Sequence, residues 1–264
     1  MKLSIIIINY NTPELVLACL RSIKKWIKIP YEVIVVENGS KINSRMSSEE
    51  LDKVSIDYKL VISENNLGFG RGNNLGAKEA KGEYVWFLNS DTLIVDDSIH
   101  ELISFLDDHE EVGAVSPVLY HDDGSIQSNF FAKFQSLGSV LFRRYNFQPI
   151  DFKKKFFYVD VIVGAALLTR RKIFEKIDGF DPNIFMYLED DDLCKRIVDL
   201  GYKNAVYTQS KIIHLEGRSI NRNSERKKLY YNSQTYFWRK HNGLLPTIIM
   251  QVIRWPYKLI KTKI

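Results

Sequence analysis

Cysteine and long apolar runs are both scarce in this chain of 264 residues. The two cysteines, Cys19 and Cys194, lie far apart and form no Cys-x-x-Cys pair. Their spacing argues against structural zinc and disulfide bonds and favours a reducing compartment. The first apolar run, residues 3–8, is too short for a signal peptide and has no small-residue cleavage site. We therefore expect it to form a buried first strand.

Composition and charge set broad limits on the protein. The chain is 45% hydrophobic and 26% charged, which is ordinary for a globular protein, and its length fits one large domain or a domain with an appendage. From Gly217 to Ile264 there are eleven Lys or Arg residues and one acidic residue, a net charge of +10, so the rest of the chain carries −5 of the total +5. A basic tail on a mildly acidic body predicts an anionic partner for the tail.

Strand and helix patterns alternate through the first half of the chain. The predicted strands are 3–9, 32–37, 58–63, 83–88 and 112–118, and the predicted helices are 13–26, 47–54, 73–80 and 99–107. Such alternation predicts an α/β fold with a mostly parallel central sheet flanked by helices. In the second half, residues 188–200 are predicted to be helical and residues 205–213 to form a strand that ends just before His214.

The most informative motif follows the apolar strand that ends at Leu88. There the chain turns polar, with Asn89, Ser90 and Asp91. In open α/β sheets ligands bind beyond the carboxyl ends of the strands, and amide and carboxylate oxygens suit Mg²⁺ or Mn²⁺ carrying a phosphate. The alternative is that these residues simply form a turn.

Four acidic residues, 189–192, open the predicted helix of the second half. One or two carboxylates there would complement the helix dipole, but four neighbouring ones repel each other, which suggests a chemical role for at least one. Asp192 lies four residues before Arg196 and is expected to pair with it. Glu189 and Asp190, at the loop edge, are the candidates for a general base, and the role of Asp191 stays open.

Two further features have balanced interpretations. His214 closes a strand and could be a further metal or phosphate contact or a structural residue. The glycine-rich stretch 65–76 resembles a phosphate-binding loop before a helix, but Asn73 occupies the third glycine position of GxGxxG and no P-loop Lys-Ser/Thr follows. A nicotinamide-binding fold is therefore not expected. The glycines could equally provide close packing, and Arg71 could contact a diphosphate or solvent.

In this order, the motifs resemble family 2 glycosyltransferases with the GT-A fold, and most closely the bacterial rhamnosyltransferase-type branch. The resemblance covers about residues 3–219. The matching segments are 6–11, 35–40, 65–76, 87–92, 164–166, 179–181, 185–196 and His214. The resemblance implies inverting transfer of a sugar from a nucleoside diphosphate to a hydroxyl of a glycan or lipid-linked acceptor in cell-surface polysaccharide synthesis.

The resemblance also assigns roles to residues. It implies that Asp91 binds Mg²⁺ or Mn²⁺ through the diphosphate, with His214 helping to hold the metal or diphosphate. It implies that Asp190 is the catalytic base and that Glu189 orients the acceptor. The remaining residues are expected at the donor, and they are Tyr10, Asn11, Glu37, Arg71, Asn89, Ser90, Gly164 and Ala165.

Two positions depart from the family pattern. Glu37 stands where the family usually has Asp, which lengthens the side chain expected at the nucleotide base. Asn89 replaces the first Asp of the metal-binding DXD motif, which removes one anionic oxygen. Because Asn is common there in the rhamnosyltransferase-like branch, we interpret it as a marker of that branch, and expect Asp91 to carry most of the metal binding.

The sequence predicts a catalytic domain at 1–219 and a basic helical extension at 220–264. The extension's apolar segment, within 244–260, is too short to span a bilayer but suits an interfacial helix on an anionic membrane. It could equally pack on the domain or on a second subunit, so self-association stays open. No nucleic-acid-binding motif accompanies the charge, and nucleic acid is not expected as a partner. The expected location is cytoplasmic, at the inner face of the membrane.

Two other functions compete with sugar transfer. The weakened DXD motif would suit a non-catalytic nucleotide-sugar-binding subunit of a polysaccharide assembly complex. A nucleotidyltransferase would share the α/β layout and the need for metal, but the first strand is not followed by a glycine-rich segment with Arg or Lys. That difference disfavours the nucleotidyltransferase.

Overall fold

The computed structural model describes residues 1–142, 150–215 and 223–259. Within these ranges the strands are β1 (Leu3–Asn9), β2 (Tyr31–Asn38), β3 (Tyr58–Ser63), β4 (Tyr84–Leu88), β5 (Thr92–Ile94), β6 (Val112–Tyr120), β7 (Phe131–Ala132), β8 (Phe156–Val159), β9 (Val161–Ile162), β10 (Ala166–Arg170) and β11 (Lys203–His214). The α-helices are α1 (Pro13–Trp26), α2 (Ser48–Asp52), α3 (Phe69–Ala77), α4 (Ile99–Asp108), α5 (Leu137–Phe142), α6 (Arg171–Lys176), α7 (Glu189–Asp199), α8 (Asn223–Asn242) and α9 (Leu244–Leu259).

The main sheet is mixed in strand direction. Its order is β3-β2-β1-β4-β10-β6-β11-β5, and β8 pairs with β11. The first four strands of this order run parallel to one another. Strand β10 is antiparallel to both of its neighbours, β4 and β6. The carboxyl ends of β1, β2 and β4 therefore meet at one edge, where open α/β sheets bind ligands.

Helices cover both faces of this sheet. On one face α1 and α4 bury apolar side chains such as Leu20 and Leu102 in a core shared with the sheet, with α1 next to β1 and α4 next to β6 and β11. On the other face α6 and α7 pack against the sheet through Ile173, Leu193 and Ile197. Because β4 is covered on both faces, its five residues are all buried, which explains why this strand is an uninterrupted apolar run.

Helix α3 begins earlier than the sequence predicts. We expected a glycine-rich loop followed by a helix from Asn73, but the helix starts at Phe69 and includes most of the glycines. A Cβ atom at Gly76 would lie only 2.7 Å from Ile6 Cγ2 and 2.9 Å from Val36 Cγ2. The start predicted at Asn73 was wrong because the earlier glycines also serve close packing of the helix, with a Cβ atom at Gly72 only 2.9 Å from Ile8 Cδ1.

The C-terminal helices α8 and α9 pack together and against the rest of the chain. Leu188, Phe237, Trp238 and Met250 form a small buried cluster at this junction. Among the described helices, none is long and apolar enough to cross a membrane. The boundary predicted at 219/220 lies outside the described residues.

Candidate active site

A cavity of about 700 Å³ opens at the carboxyl ends of β1 and β4. This volume is typical of a small-molecule binding site. Its walls come from the strand tips, the start of α7 and the helix α8. The predicted site residues in its lining are Tyr10, Asn89, Ser90, Asp91, Gly164, Ala165, Glu189 and Asp190.

The segment after β4 is both a turn and a wall of the cavity. Thr92 N donates to Asn89 O at 3.2 Å, which closes the turn. Asn89 N donates to Ala165 O at 2.9 Å, and this bond ties the turn to the segment that leads into β10. The Ser90 hydroxyl lies 3.1 Å from the Thr12 hydroxyl. The turn thus holds its three polar side chains at the cavity, so the two interpretations of this motif are compatible.

His214 and Asp91 lie side by side although 123 positions separate them in the chain. His214 Nε2 is 3.4 Å from Asp91 Oδ1, and both side chains are buried. Leu215 N donates to Asp91 O at 2.8 Å, which fixes the backbone between the tip of β11 and the turn. A ring nitrogen and a carboxylate oxygen at this distance attract each other only when a proton or a cation lies between them.

Gln127 determines how His214 is oriented. The Gln127 Nε2 group donates to His214 O at 2.6 Å, which places its Oε1 3.0 Å from His214 Nδ1. With Nδ1–H donating to that oxygen, the ring presents Nε2 to Asp91. Gln127 is itself almost fully buried. Sequence reasoning missed this residue because it lies in an irregular segment without a motif.

The donor set fits a divalent cation shared with a phosphate. Within the described ranges, no group of three or more His, Cys, Asp or Glu side chains is placed to hold a metal ion. Asp91 and His214 would supply two ligands, and Mg²⁺ commonly takes one or two protein ligands together with substrate phosphates. The charges of the lining agree with this, since four carboxylates face a single lysine, Lys133, among the described lining residues. A bound cation would offset the repulsion between an anionic diphosphate and the carboxylate of Asp91.

The first turn of α7 carries the other carboxylates of the cavity. Gly164 N donates to Asp190 Oδ2 at 3.1 Å, and Asp191 N donates to Asp190 Oδ1 at 3.0 Å. Burial raises the pKa of Asp190 in spite of these hydrogen bonds. Burial and the neighbouring charge of Asp190 raise the pKa of Glu189 and of Asp191 well above the ordinary range. Raised pKa values are the property expected of carboxyl groups that exchange protons near neutral pH.

Asp192 faces away from these three acids and is fully ion-paired. Arg196 Nε donates to its Oδ2 at 2.7 Å, as the spacing predicted. Lys240 Nζ and His241 Nε2, both from α8, reach its Oδ1 at 2.6 and 2.7 Å. Asp192 therefore belongs to the packing of α7 on α8.

Three predicted donor residues lie outside the cavity lining. Glu37 is buried, and its oxygens accept from Asn9 Nδ2, Ser40 N and Met46 N at 2.5 to 2.8 Å. Asn11 adopts a positive φ of 61°, and its Oδ1 accepts from the backbone of Lys41 at 2.8 Å. Both side chains hold the ends of β1 and β2 together. Arg71 is exposed on α3. The structure does not bring these three into the cavity, and their contact with the nucleotide stays a prediction.

The cavity also contains residues that sequence reasoning did not select. They include Lys133, Gln135, Met186, Tyr187 and Tyr230. Tyr230 belongs to α8, so the C-terminal segment contributes directly to the cavity wall. Nothing in the local sequence links Tyr230 to residues more than 40 positions earlier, because only tertiary packing brings them together.

Curated proteins similar to this chain include some that are named rhamnosyltransferases. The O-antigen chain rhamnosyltransferase RfbN of Salmonella typhimurium is 25% identical over 217 residues, covering 81% of this chain and 66% of that protein. The N-acetylglucosaminyl-diphospho-decaprenol L-rhamnosyltransferase of Mycobacterium tuberculosis is 22% identical over 274 residues, covering 91% of this chain and 85% of that protein. For RfbN and three further curated relatives, the chain spans between 18% and 66% of the relative's length.

The fold resembles solved glycosyltransferases. The structure of GalNAc-T7 with UDP, GalNAc and Mn²⁺ matches 97% of this chain and 55% of that chain, with a TM-score of 0.70 at 15% identity. At this identity the likeness establishes the GT-A fold alone. The model of the glycosyl transferase family 2 matches residues 4–178, which span β1 to α6 and include the turn at Asp91. On this evidence the chain belongs to glycosyl transferase family 2.

Proposed function

We propose that the protein transfers a sugar, with inversion, from a nucleoside-diphosphate sugar to a hydroxyl of a glycan or lipid-linked glycan. Rhamnose is the donor sugar that we propose, since several of the similar curated proteins are named rhamnosyltransferases. Family membership and the polysaccharide roles named for these relatives support the reaction class. We also propose a role for each residue of the site.

Asp190 is the proposed base. Its carboxylate would accept the proton of the acceptor hydroxyl as that oxygen bonds to the anomeric carbon. The bond between the anomeric carbon and the diphosphate breaks at the same time, and the nucleoside diphosphate leaves. Glu189 would orient the acceptor, since its Oε2 is buried without a hydrogen-bond partner among the described residues. Both groups line the same cavity as the proposed donor residues.

The donor would lie along the strand tips. Tyr10 would contact the nucleotide base, Asn89 and Ser90 the diphosphate, and Gly164 and Ala165 the sugar. Asp91 and His214 would hold Mg²⁺ or Mn²⁺, which would supply positive charge to the departing diphosphate. The 3.4 Å approach of His214 Nε2 to Asp91 Oδ1, beside a cavity with four carboxylates, is the observation on which the proposal depends most.

Replacing the base tests this proposal. We expect Asp190→Asn to reduce transfer from a nucleotide sugar by about 10²- to 10⁴-fold, the usual contribution of a general base. Binding of the donor, measured by calorimetry with Mn²⁺ present, should be retained. Asp199→Asn is the matched control because it makes the same change at the exposed end of the same helix.

Full activity in Asp190→Asn would exclude Asp190 as the base. Donor binding by the unmodified protein without transfer to any of a broad panel of acceptors would favour the non-catalytic binding subunit.

We also propose that α9 lies on an anionic membrane surface, where a lipid-linked acceptor would be found. Large apolar side chains are exposed along one side of α9, with Leu245 at 67%, Val252 at 68% and Trp255 at 63%, while Met250 on the other side is buried. Phe142, at the end of α5, is exposed too. An exposed apolar face of this kind suits an interfacial helix.

Vesicle binding tests the membrane proposal. We expect the protein to sediment with vesicles of mixed zwitterionic and anionic phospholipid, and less with purely zwitterionic ones. Val252→Glu should weaken binding by about tenfold, because a charge would enter the apolar face. Gln251→Glu, which adds the same charge at the neighbouring position of α9, should weaken it less. Self-association of the protein that Val252→Glu abolishes would instead identify the face as a contact between two copies.

A further inference from the structure

Helix α8 contacts the acid-bearing segment at several points along one of its faces. Ser233 Oγ donates to Met186 O at 2.7 Å. The ring of Tyr230 packs edge-on against Tyr187, with centroids 6.2 Å apart. Lys240 and His241 continue the same face, because residues 7 or 8 positions after Ser233 return to it after two helical turns. The contacted segment therefore runs from just before the acids to the first turn of α7.

Lys240 joins two buried carboxylates of this segment. Its ammonium donates to Asp192 Oδ1 and to Asp181 Oδ2, both at 2.6 Å. The Tyr236 hydroxyl donates to the same Asp181 oxygen at 3.0 Å. Burial alone would raise the pKa of Asp192, but the hydrogen bond from His241 and the charges of Arg196 and Lys240 lower it below the ordinary range. Asp192 is therefore an ionised, fully buried anchor for α7.

The backbone between these anchors is conformationally unusual. Tyr187 and Leu188 are consecutive non-glycine residues with positive φ angles of 67° and 63°. Such a conformation is disfavoured for both and persists only where surrounding contacts impose it. The pair immediately precedes Glu189 and Asp190, so any relaxation of this backbone would move the carboxylates of the cavity. Contacts from α8 lie on both sides of the pair, at Met186 and at Asp192.

We propose that Ser233, Lys240 and His241 of α8 are positioning residues that hold Asp190 in place for proton transfer. None of the three lines the cavity, so they would act through the backbone of 186–192 and through Asp192. The proposal rests on the proposed role of Asp190 as the base. It makes the C-terminal segment part of the catalytic unit, whether or not α9 also meets a membrane.

Neighbouring cations on α8 provide a matched pair of variants. Lys240→Met removes the bridge between Asp181 and Asp192. Arg239→Met removes the same charge one position away, from an exposed side chain. We expect Lys240→Met to lower kcat by about tenfold to a hundredfold, since small misplacements of catalytic groups have effects of this size. The KM for the donor should change by less than about twofold, Arg239→Met should resemble the unmodified protein, and Lys240→Arg should restore much of kcat.

Equal kcat values for Lys240→Met and Arg239→Met would overturn the proposal. Should Lys240→Met fail to fold, Ser233→Ala removes only the hydroxyl that holds Met186 O, and an unchanged kcat there would count against it equally. Amide hydrogen exchange in residues 187–192 is the readout that needs no activity. Faster exchange in Lys240→Met and not in Arg239→Met supports the positioning role, and no difference refutes it. A protein with this exchange result but no transfer from any donor would refute the proposed function alone.

Discussion

The two sides of the cavity are held together by different kinds of interaction. On the side of β1, β2 and β4, neutral amides and backbone groups connect the strand ends, as in the bonds from Lys41 N to Asn11 Oδ1 and from Asn89 N to Ala165 O. On the side of α7 and α8, ion pairs connect elements that are far apart in sequence, with Asp192 and Lys240 separated by 48 positions. Hydrogen bonds between the backbone groups of neighbouring strands should depend little on pH and salt concentration. Ion pairs should respond to both.

Replacing Asp91 should have the largest effect on the strand side of the cavity, the side formed by β1, β2 and β4, and the quantity affected is the affinity for Mn²⁺. Asp91→Asn removes the charge that faces His214 Nε2, and we expect Mn²⁺ affinity to fall by about a hundredfold or more, since a carboxylate contributes most of the ligand charge. Electron paramagnetic resonance of Mn²⁺ with the nucleoside diphosphate present measures this directly. Asp108→Asn, at the exposed end of α4, is the control for charge. Unchanged Mn²⁺ affinity in Asp91→Asn would show that the metal does not bind on this side of the cavity.

Replacing Gln127 should lower Mn²⁺ affinity less than replacing Asp91, because Gln127 acts on the metal site through His214. Gln127→Leu removes the acceptor for His214 Nδ1–H, so the imidazole loses the contact that orients Nε2 toward Asp91. We expect Mn²⁺ affinity to fall by about 10- to 100-fold, the usual range for such an orienting partner. Gln209→Leu makes the same substitution at an exposed position of β11, the strand that carries His214. A loss of Mn²⁺ affinity equal in both variants would contradict the orienting role.

Removing the ion pairs that Lys240 makes should have the smallest effect, a pH-dependent decrease in the free energy of unfolding. Burial alone would raise the pKa of Asp181, but Lys240, Asn183 and Tyr236 together lower it to about 2 from 3.8. A lowered pKa means that the ionised form stabilises the fold above about pH 4, and that this contribution is lost as the pH falls toward 2. The free energy of unfolding should therefore be about 1–2 kcal/mol lower in Lys240→Met than in the unmodified protein at pH 7.

This difference should narrow as the pH falls from 4 toward 2, as measured by urea unfolding at each pH. In Arg239→Met the difference from the unmodified protein should stay within about 0.5 kcal/mol throughout. A pH-independent difference in Lys240→Met would mean that packing of its side chain, and not its charge, stabilises the α7–α8 contact.

The strand side could be predicted from sequence much more fully than the helix side. Strand β1 and helix α1 have the predicted bounds, because an apolar run and a Pro at the first helical position are local signals. Eight of the residues proposed for the site line one cavity, since they follow buried strands or open α7. The antiparallel insertion of β10 between β4 and β6 was not predicted, because strand direction depends on connections and not on local pattern.

The features that sequence reasoning could not establish have the same physical origin. Only the three-dimensional structure reveals that the side chains of Glu37 and Asn11 hydrogen-bond between the ends of β1 and β2, and their contact with the nucleotide stays a prediction. Gln127 and Tyr230 reach the site from an irregular segment and from the last quarter of the chain. Sequence patterns are read over windows of about 10 to 20 residues, so they cannot identify long-range partners such as Lys240 and Asp192.

The late position of α8 has a consequence for synthesis. The residues of β1 to β4 are all synthesised before Thr92 is added. Asp192 gains its partners Lys240 and His241 only about 50 residues after it has itself been synthesised. During that interval the carboxylates meant for the cavity would lack their anchors. The order of translation thus supplies the residues of β1, β2 and β4 first and the α8 anchors of α7 last, so that the full arrangement can form only when the chain is nearly finished.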